Sequence, residues 1–338
     1  MKTKISLVAL ATALSMGASF AADLPSRKAP VYVAPPPPPT LWTGFYAGLN
    51  AGYDWGISTN TQTVAGGLYD NYANGILGLP FGSPGAMSLA NSGNANVNRS
   101  GFIGGGQIGY NYQWGPSFVV GLEADIQGAG IRGNGSFNGI AADSATPIPF
   151  LPGFPILTTN RSSFASTTIE AHQDWLGTVN ARVGYLVTPT ALLYVRGGLA
   201  YGGAQASVTS VSGNNATLNF LPVLGFASAS FGALGAGYGT NSSTLVGWNV
   251  GGGAEWMLAP NWSVKFEAFY YDLGSLNVNA VHQVSYGLGG SLGPFGFGRD
   301  FGWANGSQTN VRMDGVVARV GVNYHFNWAA PVPVLAKY

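Results

Sequence analysis

Between Trp42 and Phe326, apolar side chains alternate with polar or small ones in eight separate segments. In the first segment, Leu49 and Trp55 share one parity with other apolar residues, whereas Asn50 shares the opposite parity with small and polar ones. A period of two is what a β-strand shows when one face meets lipid and the other faces a lumen. A single segment of this kind also fits a half-buried strand of a soluble sandwich. Eight together, with aromatic residues near their ends, favour a membrane β-barrel.

The connections between these segments alternate in length. The short ones carry turn-forming residues and lie at 115–116, 187–190 and 259–261. The long ones span roughly 57–99, 129–172, 204–243 and 274–309. Outer-membrane barrels join their strands by short turns on the periplasmic side and long loops outside, so three turns and four loops require eight strands. We therefore predict an all-β fold, an eight-stranded antiparallel transmembrane outer-membrane β-barrel with four long external loops and both termini in the periplasm.

The composition excludes several other classes of protein. Only 8% of the 338 residues are charged, well below the roughly 25% of soluble domains. The absence of cysteine excludes disulfide scaffolds and Cys-ligated metal centres. With 14 Lys and Arg against 13 Asp and Glu, no basic excess is available to bind nucleic acid. The G-x-G-x-x-G match at 104–109 lies inside a predicted strand with no following helix, so we expect no dinucleotide site and no cofactor.

The chain ends are predicted to lie outside the barrel. Residues 1–21 have a positive start, an apolar stretch and a small-x-small cleavage site, which together predict an export signal peptide. Residues 22–41 contain five consecutive prolines and are predicted to form an extended periplasmic spacer. Whether this spacer contacts peptidoglycan, serves as a Pro-rich ligand or merely covers distance stays open. The barrel is predicted to span 42–326, with a periplasmic tail at 327–338 because its prolines argue against a ninth strand.

The lumen is where chemistry would take place, and four residues of each charge share the inward parity. They are Glu123, Asp125, Glu255 and Glu267, with Arg182, Arg196, Lys265 and Arg319. An isolated charge in a narrow, low-dielectric lumen is costly, so a balanced set predicts ion pairs. The same residues would alternatively line a narrow diffusion channel. No catalytic, cofactor or metal residues are assigned.

Three further interpretations rest on loop residues. His172 and Asp174 share one parity near a strand end, which leaves open a lipid-modifying hydrolase that would also need a serine. His282 and Tyr286 are residue types that ligate haem iron, which leaves open a haemin-binding surface receptor. The long connections are rich in Gly, Ser, Asn, Ala and Thr, and are compatible with a lid over the barrel, insertion into neighbouring surfaces or mobility.

Three stretches carry a resemblance to a known family. They are the Ala21–Pro25 junction, the opening Trp42–Tyr46 followed by Gly48 and Gly52, and the closing Arg319–Phe326. The chain resembles the small alpha-proteobacterial outer-membrane barrels known as outer-membrane immunogenic or porin-family proteins, related in architecture to OmpA and OmpX. The resemblance implies a major surface antigen of a Gram-negative outer membrane, with haemin binding or weak pore activity in some members.

The resemblance also implies partners. These are outer-membrane lipid, lipopolysaccharide and the barrel-assembly machinery, which reads a terminal aromatic, here either Phe326 or Tyr338. We expect no nucleic-acid partner, and a monomer or weak oligomer. The function predicted is therefore a non-enzymatic structural and surface-antigen barrel with weak porin activity. The alternatives are a narrow channel or a haemin receptor, and, less favoured, a lipid-modifying enzyme.

Overall fold

The computed structural model describes residues 41–70, 85–151, 154–220, 228–287 and 300–326. The predicted signal peptide, all of the predicted spacer but Leu41, and the predicted tail lie outside the described residues, so these assignments stay predictions. No helix in the described ranges is both long enough and apolar enough to cross a membrane.

Within these ranges the chain forms ten strands and one short helix. In chain order they are β1 (Gly44–Gly56), β2 (Asn60–Asp70), α1 (Gly85–Ala90), β3 (Gly93–Asn96), β4 (Asn98–Trp114), β5 (Phe118–Leu151), β6 (Phe154–Thr188), β7 (Ala191–Phe220), β8 (Ser228–Ala259), β9 (Trp262–Gly287) and β10 (Asp300–Phe326). β1 pairs with both β4 and β10, and β4 to β10 pair in sequence, so eight strands close into a ring. Every pair in the ring is antiparallel, and the prediction of an eight-stranded antiparallel barrel is confirmed.

The strands are strongly inclined to the barrel axis. Following register partners once around the ring from Phe45 returns to Trp55, ten residues further along β1. With a rise of about 3.3 Å per residue and strands about 4.8 Å apart, this offset gives an inclination of about 40°. That value lies within the range of closed transmembrane barrels, whose tilt and stagger are linked.

The outer wall has an apolar band bordered by two aromatic girdles. The proximal end, which we define as the end with the three short turns, carries a girdle in which the Phe45 and Tyr110 rings lie 4.8 Å apart and those of Trp262 and Tyr324 5.1 Å apart. The distal girdle includes Tyr53, Phe102, Trp175, Tyr201, Trp248 and Tyr270. Between the girdles, exposed side chains such as Leu122 and Val195 alternate with buried polar ones, as lipid outside and a polar lumen inside require.

The long connections differ from the loops expected from the sequence. β5 and β6 remain paired from Phe118–Tyr185 at the proximal end to Leu151–Phe154 at the distal end, and β7 and β8 from Ala191–Trp256 to Asn219–Ser228. Much of 129–172 and 204–243 is therefore strand that continues the barrel past the distal girdle. Apolar and polar residues still alternate there, but the apolar side chains now face inward. Ile169 and Val208, for example, point inward and are fully buried. Beyond the lipid, water is outside and the apolar face must turn inward.

These extensions enclose a second core that includes α1. Its Ala86, Met87 and Ala90 are buried, and it packs against β2, β5 and β6. Asn91 directly follows α1. Its side-chain amide donates a hydrogen bond to the Met87 carbonyl and accepts one from the Ser210 hydroxyl on β7. The first long connection is thus partly folded into the barrel.

One seam interrupts the wall between β8 and β9. The two strands pair up to Trp248–Asp272, separate, and pair again at Tyr238–Val281. Across the seam, the Asn241 side chain donates to the Asn277 carbonyl at 2.8 Å. β8 keeps its pairing with β7 throughout, so the seam affects only one edge of the strand.

Candidate functional site

All eight charged residues predicted to face the lumen are buried, each with at most 4% of its surface exposed. They extend from six consecutive strands: Glu123 and Asp125 from β5, Arg182 from β6, Arg196 from β7, Glu255 from β8, Lys265 and Glu267 from β9, and Arg319 from β10. They lie inside because their neighbours of opposite parity, such as Leu122 and Phe266, are exposed on the lipid side. We call these eight residues the charged layer.

Glu123 is the centre of the charged layer. Its Oε1 accepts a hydrogen bond from Lys265 Nζ at 2.8 Å, and lies 3.5 Å from the guanidinium groups of both Arg196 and Arg319. Its Oε2 lies 3.6 Å from Arg182 Nη1 and accepts a hydrogen bond from Tyr46 Oη at 2.7 Å. Since β5, β7, β9 and β10 stand on different sides of the ring, these contacts cross the lumen.

Two more carboxylates extend the layer. Arg319 lies 2.8 Å from Asp125 and 2.6 Å from Glu267. Arg196 contacts the same two carboxylates, and Tyr194 donates to Glu267 at 2.7 Å. The ring of Phe269 lies beneath both guanidinium groups, 4.7 Å from Arg196 and 5.0 Å from Arg319, a cation–π arrangement.

Glu255 completes the layer toward the proximal end. It is 3.1 Å from Arg182, accepts a hydrogen bond from Asn323 at 2.7 Å, and lies 3.4 Å from His325 Nε2. The eight charged side chains thus form one connected set in which each acid touches at least one base. Four positive and four negative groups make the layer formally neutral.

Tyr46, Tyr194 and His325 were not predicted from the sequence to belong to the layer, although each has the inward parity of its strand and contacts one of the layer's carboxylates. A glycine lies opposite each tyrosine on the neighbouring strand, Gly109 opposite Tyr46 and Gly253 opposite Tyr194. A Cβ at Gly109 would overlap the Tyr46 ring, and a Cβ at Gly253 would lie 2.8 Å from Tyr194 Oη. Inward glycines therefore make room for tyrosines that reach across the neighbouring strand.

The charged layer is covered on both sides. On the proximal side, Trp42 is 1% exposed, donates its indole N–H to the Pro189 carbonyl at 3.0 Å and packs edge-on against His325. It belongs to an apolar group with Val119, Leu186, Leu192, Tyr194 and Met257. On the distal side lie Arg99 and Asp314, 3.6 Å apart, and then the second apolar core. The lumen is therefore filled in successive layers, apolar at the proximal end, then charged, and apolar again at the distal end.

The residues considered for other chemistry lie apart from this layer. His172 and Asp174 are on the outer surface, where a bulge interrupts β6 between Gln173 and Trp175. His282 is buried, its Nε2 is 2.7 Å from Ser307 Oγ, and burial lowers its pKa. The Tyr286 side chain lies outside the described part of the structure. No group of three or more His, Asp or Glu that could hold a metal occurs among the described residues.

Comparison with known proteins agrees with this architecture. No family model matches the chain. The 31 kDa outer-membrane immunogenic proteins of Brucella melitensis and Brucella suis are each 30% identical to it over 272 residues, which cover 78% of this chain and 87% of theirs. The chain belongs to this family of outer-membrane immunogenic proteins. Both the resemblance noted in the sequence and the outer-membrane location are thereby confirmed.

Solved structures are more distant from this family member. The outer-membrane protein OprG of Pseudomonas aeruginosa is 12% identical, with 84% of this chain and 96% of that chain covered and a TM-score of 0.31. The barrel assignment rests on the closed strand register and not on this likeness.

Proposed function

We propose that the protein is a closed, non-enzymatic outer-membrane barrel with a structural role, and that its distal hairpins are displayed as a surface antigen. The charged layer is the observation that carries this proposal. An ion entering the lumen would have to displace paired side chains, and breaking a buried ion pair costs about 3–5 kcal/mol. The apolar groups on either side of the layer add further barriers.

Single-channel recording of the refolded mature protein in a planar bilayer, across a salt series, tests the closed lumen. We expect stable insertion without conductance steps. The matched variant Arg196→Ala/Glu267→Ala removes one base and one acid and keeps the layer neutral, so it is expected to admit small steps. Discrete steps in the wild-type protein that scale with salt would contradict the proposal and favour the narrow-channel alternative.

The surface-antigen role is supported by the relatives, which are named as immunogenic outer-membrane proteins, and by the long distal hairpins. We expect antibodies raised against the 204–243 peptide to bind intact cells. Antibodies against the 22–41 peptide serve as the control and should bind only after the outer membrane is permeabilised. The reverse pattern would show that the distal end faces the periplasm.

The haemin-receptor alternative is less favoured because the imidazole of His282 is turned into the distal core and engaged by Ser307. The lipid-modifying enzyme is less favoured because a triad requires a serine beside the histidine, and no described hydrogen bond joins His172 to one. Unchanged lipid A after incubation with the purified protein is the result expected of a non-enzymatic barrel.

A further inference from the structure

The exposed charged side chains that the structure describes on the outer wall all lie near one height. Among residues whose side chains the structure describes, only Arg132, Glu170, Asp174 and Arg312 are both charged and exposed. All four lie at the distal girdle or just beyond it, and no exposed charged side chain is described at the proximal girdle. This difference between the distal and proximal ends fits a bilayer whose two leaflets differ in charge, because the polar head groups of each leaflet begin where its aromatic girdle ends.

Arg132 lies immediately beyond the girdle. Its register partner on β4 is Ser100, whose Oγ accepts a hydrogen bond from the girdle residue Tyr53 at 3.1 Å. Its partner on β6 is His172, three residues from the girdle residue Trp175. The side chain of Arg132 is therefore placed at the height of lipid head groups.

Arg132 stands in a shallow groove of about 270 Å³. Six residues line the groove: Asn98, Arg132, Gly133, Asn134, Glu170 and His172. In the described part of the chain, Arg132 makes no ion pair or hydrogen bond through its side chain. Arg312, at a similar height, is bound to Asp272 at 2.5 Å. Of the two arginines described as exposed, only Arg132 thus has its guanidinium available to a ligand.

The groove suits an anion of a particular shape. A guanidinium presents parallel N–H donors that match two oxygens of a phosphate, while the amides of Asn98 and Asn134 supply further donors. Glu170 is on the same face, beside Asn134 in the register, and opposes a bound anion without forming an ion pair with Arg132.

We propose that this groove binds the phosphate of a phosphorylated glycolipid in the outer leaflet, with Arg132 as the principal contact. The inference rests on the outward orientation of the distal end, which is part of the proposed function. The proposed lipid site lies on the outer wall of the barrel and not in the lumen.

The test uses the full mature protein in phosphatidylcholine nanodiscs doped with bisphosphorylated lipid A, with bound lipid counted by native mass spectrometry. We expect Arg132→Ala to weaken retention of lipid A about 10-fold, equivalent to about 1.4 kcal/mol, because the variant removes the guanidinium that would donate to the phosphate. Glu170→Gln should strengthen it, and the control Arg312→Ala should change it less than twofold. Because Arg132 is exposed, we expect Arg132→Ala to leave the circular dichroism spectrum unchanged. We expect Arg132→Lys to retain an intermediate amount of lipid A. Together the two results separate a loss of binding from a loss of folding.

Equal retention by wild type and Arg132→Ala, equal retention of dephosphorylated lipid A, or equal losses in Arg132→Ala and Arg312→Ala would each overturn the proposal. Competition by millimolar inorganic phosphate would identify a free-anion site and likewise overturn it. Nanodiscs have no cellular sidedness, so these results do not depend on the conductance or antibody experiments. Failure of the lipid site is therefore distinguishable from failure of the proposed function.

Discussion

At the scale of single residues, the lumen is governed by the cost of burying charge. Each ion in the charged layer has lost its hydration, and buried pairs often contribute little net stability compared with apolar side chains of the same size. What matters is that none is left alone. Glu123 shows this most clearly, because four basic side chains approach one carboxylate.

Removing that one negative charge should therefore be costly. We expect Glu123→Gln to lower the free energy of unfolding by about 3–5 kcal/mol, since it leaves buried positive charge uncompensated. Urea unfolding of the refolded protein in micelles, followed by tryptophan fluorescence, measures this change. Arg312→Ala is the control, because its ion pair is exposed on the arginine side and such pairs contribute at most about 1 kcal/mol. Similar losses in both variants would show that the layer is not needed for stability.

At the scale of strands, apolar and polar residues alternate both in the membrane and in the distal extensions beyond it. Below the distal girdle the apolar residues face lipid, and above it they face inward and form the second apolar core. On β6 the apolar residues change from the outer to the inner face at the bulge between Gln173 and Trp175, because one extra residue reverses which positions of the strand face inward. The seam between β8 and β9 begins at the same height, beyond Trp248.

The seam predicts unequal protection along β8 and β9. Backbone amides that point across it have no ladder partner, so they should exchange with solvent without opening of the barrel. By hydrogen–deuterium exchange we expect peptides covering 239–247 and 273–280 to exchange faster than 249–256 and 264–271 of the same two strands, which are paired. Uniform protection along both strands would show that the ladder is continuous in solution.

At the scale of the whole molecule, the barrel is a filled cylinder with a lipid-facing band. Val320 lies in this band, on β10, with Ala51 and Phe266 as its neighbours on either side. Its side chain is 46% exposed, so a charge placed there would meet lipid directly.

We expect Val320→Arg to reduce membrane insertion, at a cost of about 2–4 kcal/mol for a position near the bilayer midplane. Gln308→Arg is a matched control on the same strand and the same face, beyond the distal girdle, where the cost falls to about 0–1 kcal/mol. The measurement is the yield of folded protein in outer-membrane fractions. Normal yield of Val320→Arg would show that this face of β10 does not meet lipid.

Local pattern alone determined much of this architecture. A period of two is a property of a few consecutive residues, so the eight strands, their lipid faces and the inward parity of Glu123 or Arg319 are readable without knowing which strands are neighbours. The short turns have local signatures of the same kind, such as Gly115-Pro116.

Which inward residues meet was decided only by closure of the barrel. The ten-residue offset around the ring sets their relative heights, and it brings Lys265 to Glu123 across 142 positions of sequence. The inversion of the pattern beyond the membrane also depends on what surrounds each strand, and the sequence does not state where the lipid ends. For the same reason the distal extensions were expected as loops. Packing of Trp42 under His325 and of α1 inside the extensions requires the finished cylinder, because neither has a surface to pack against before the ring has closed.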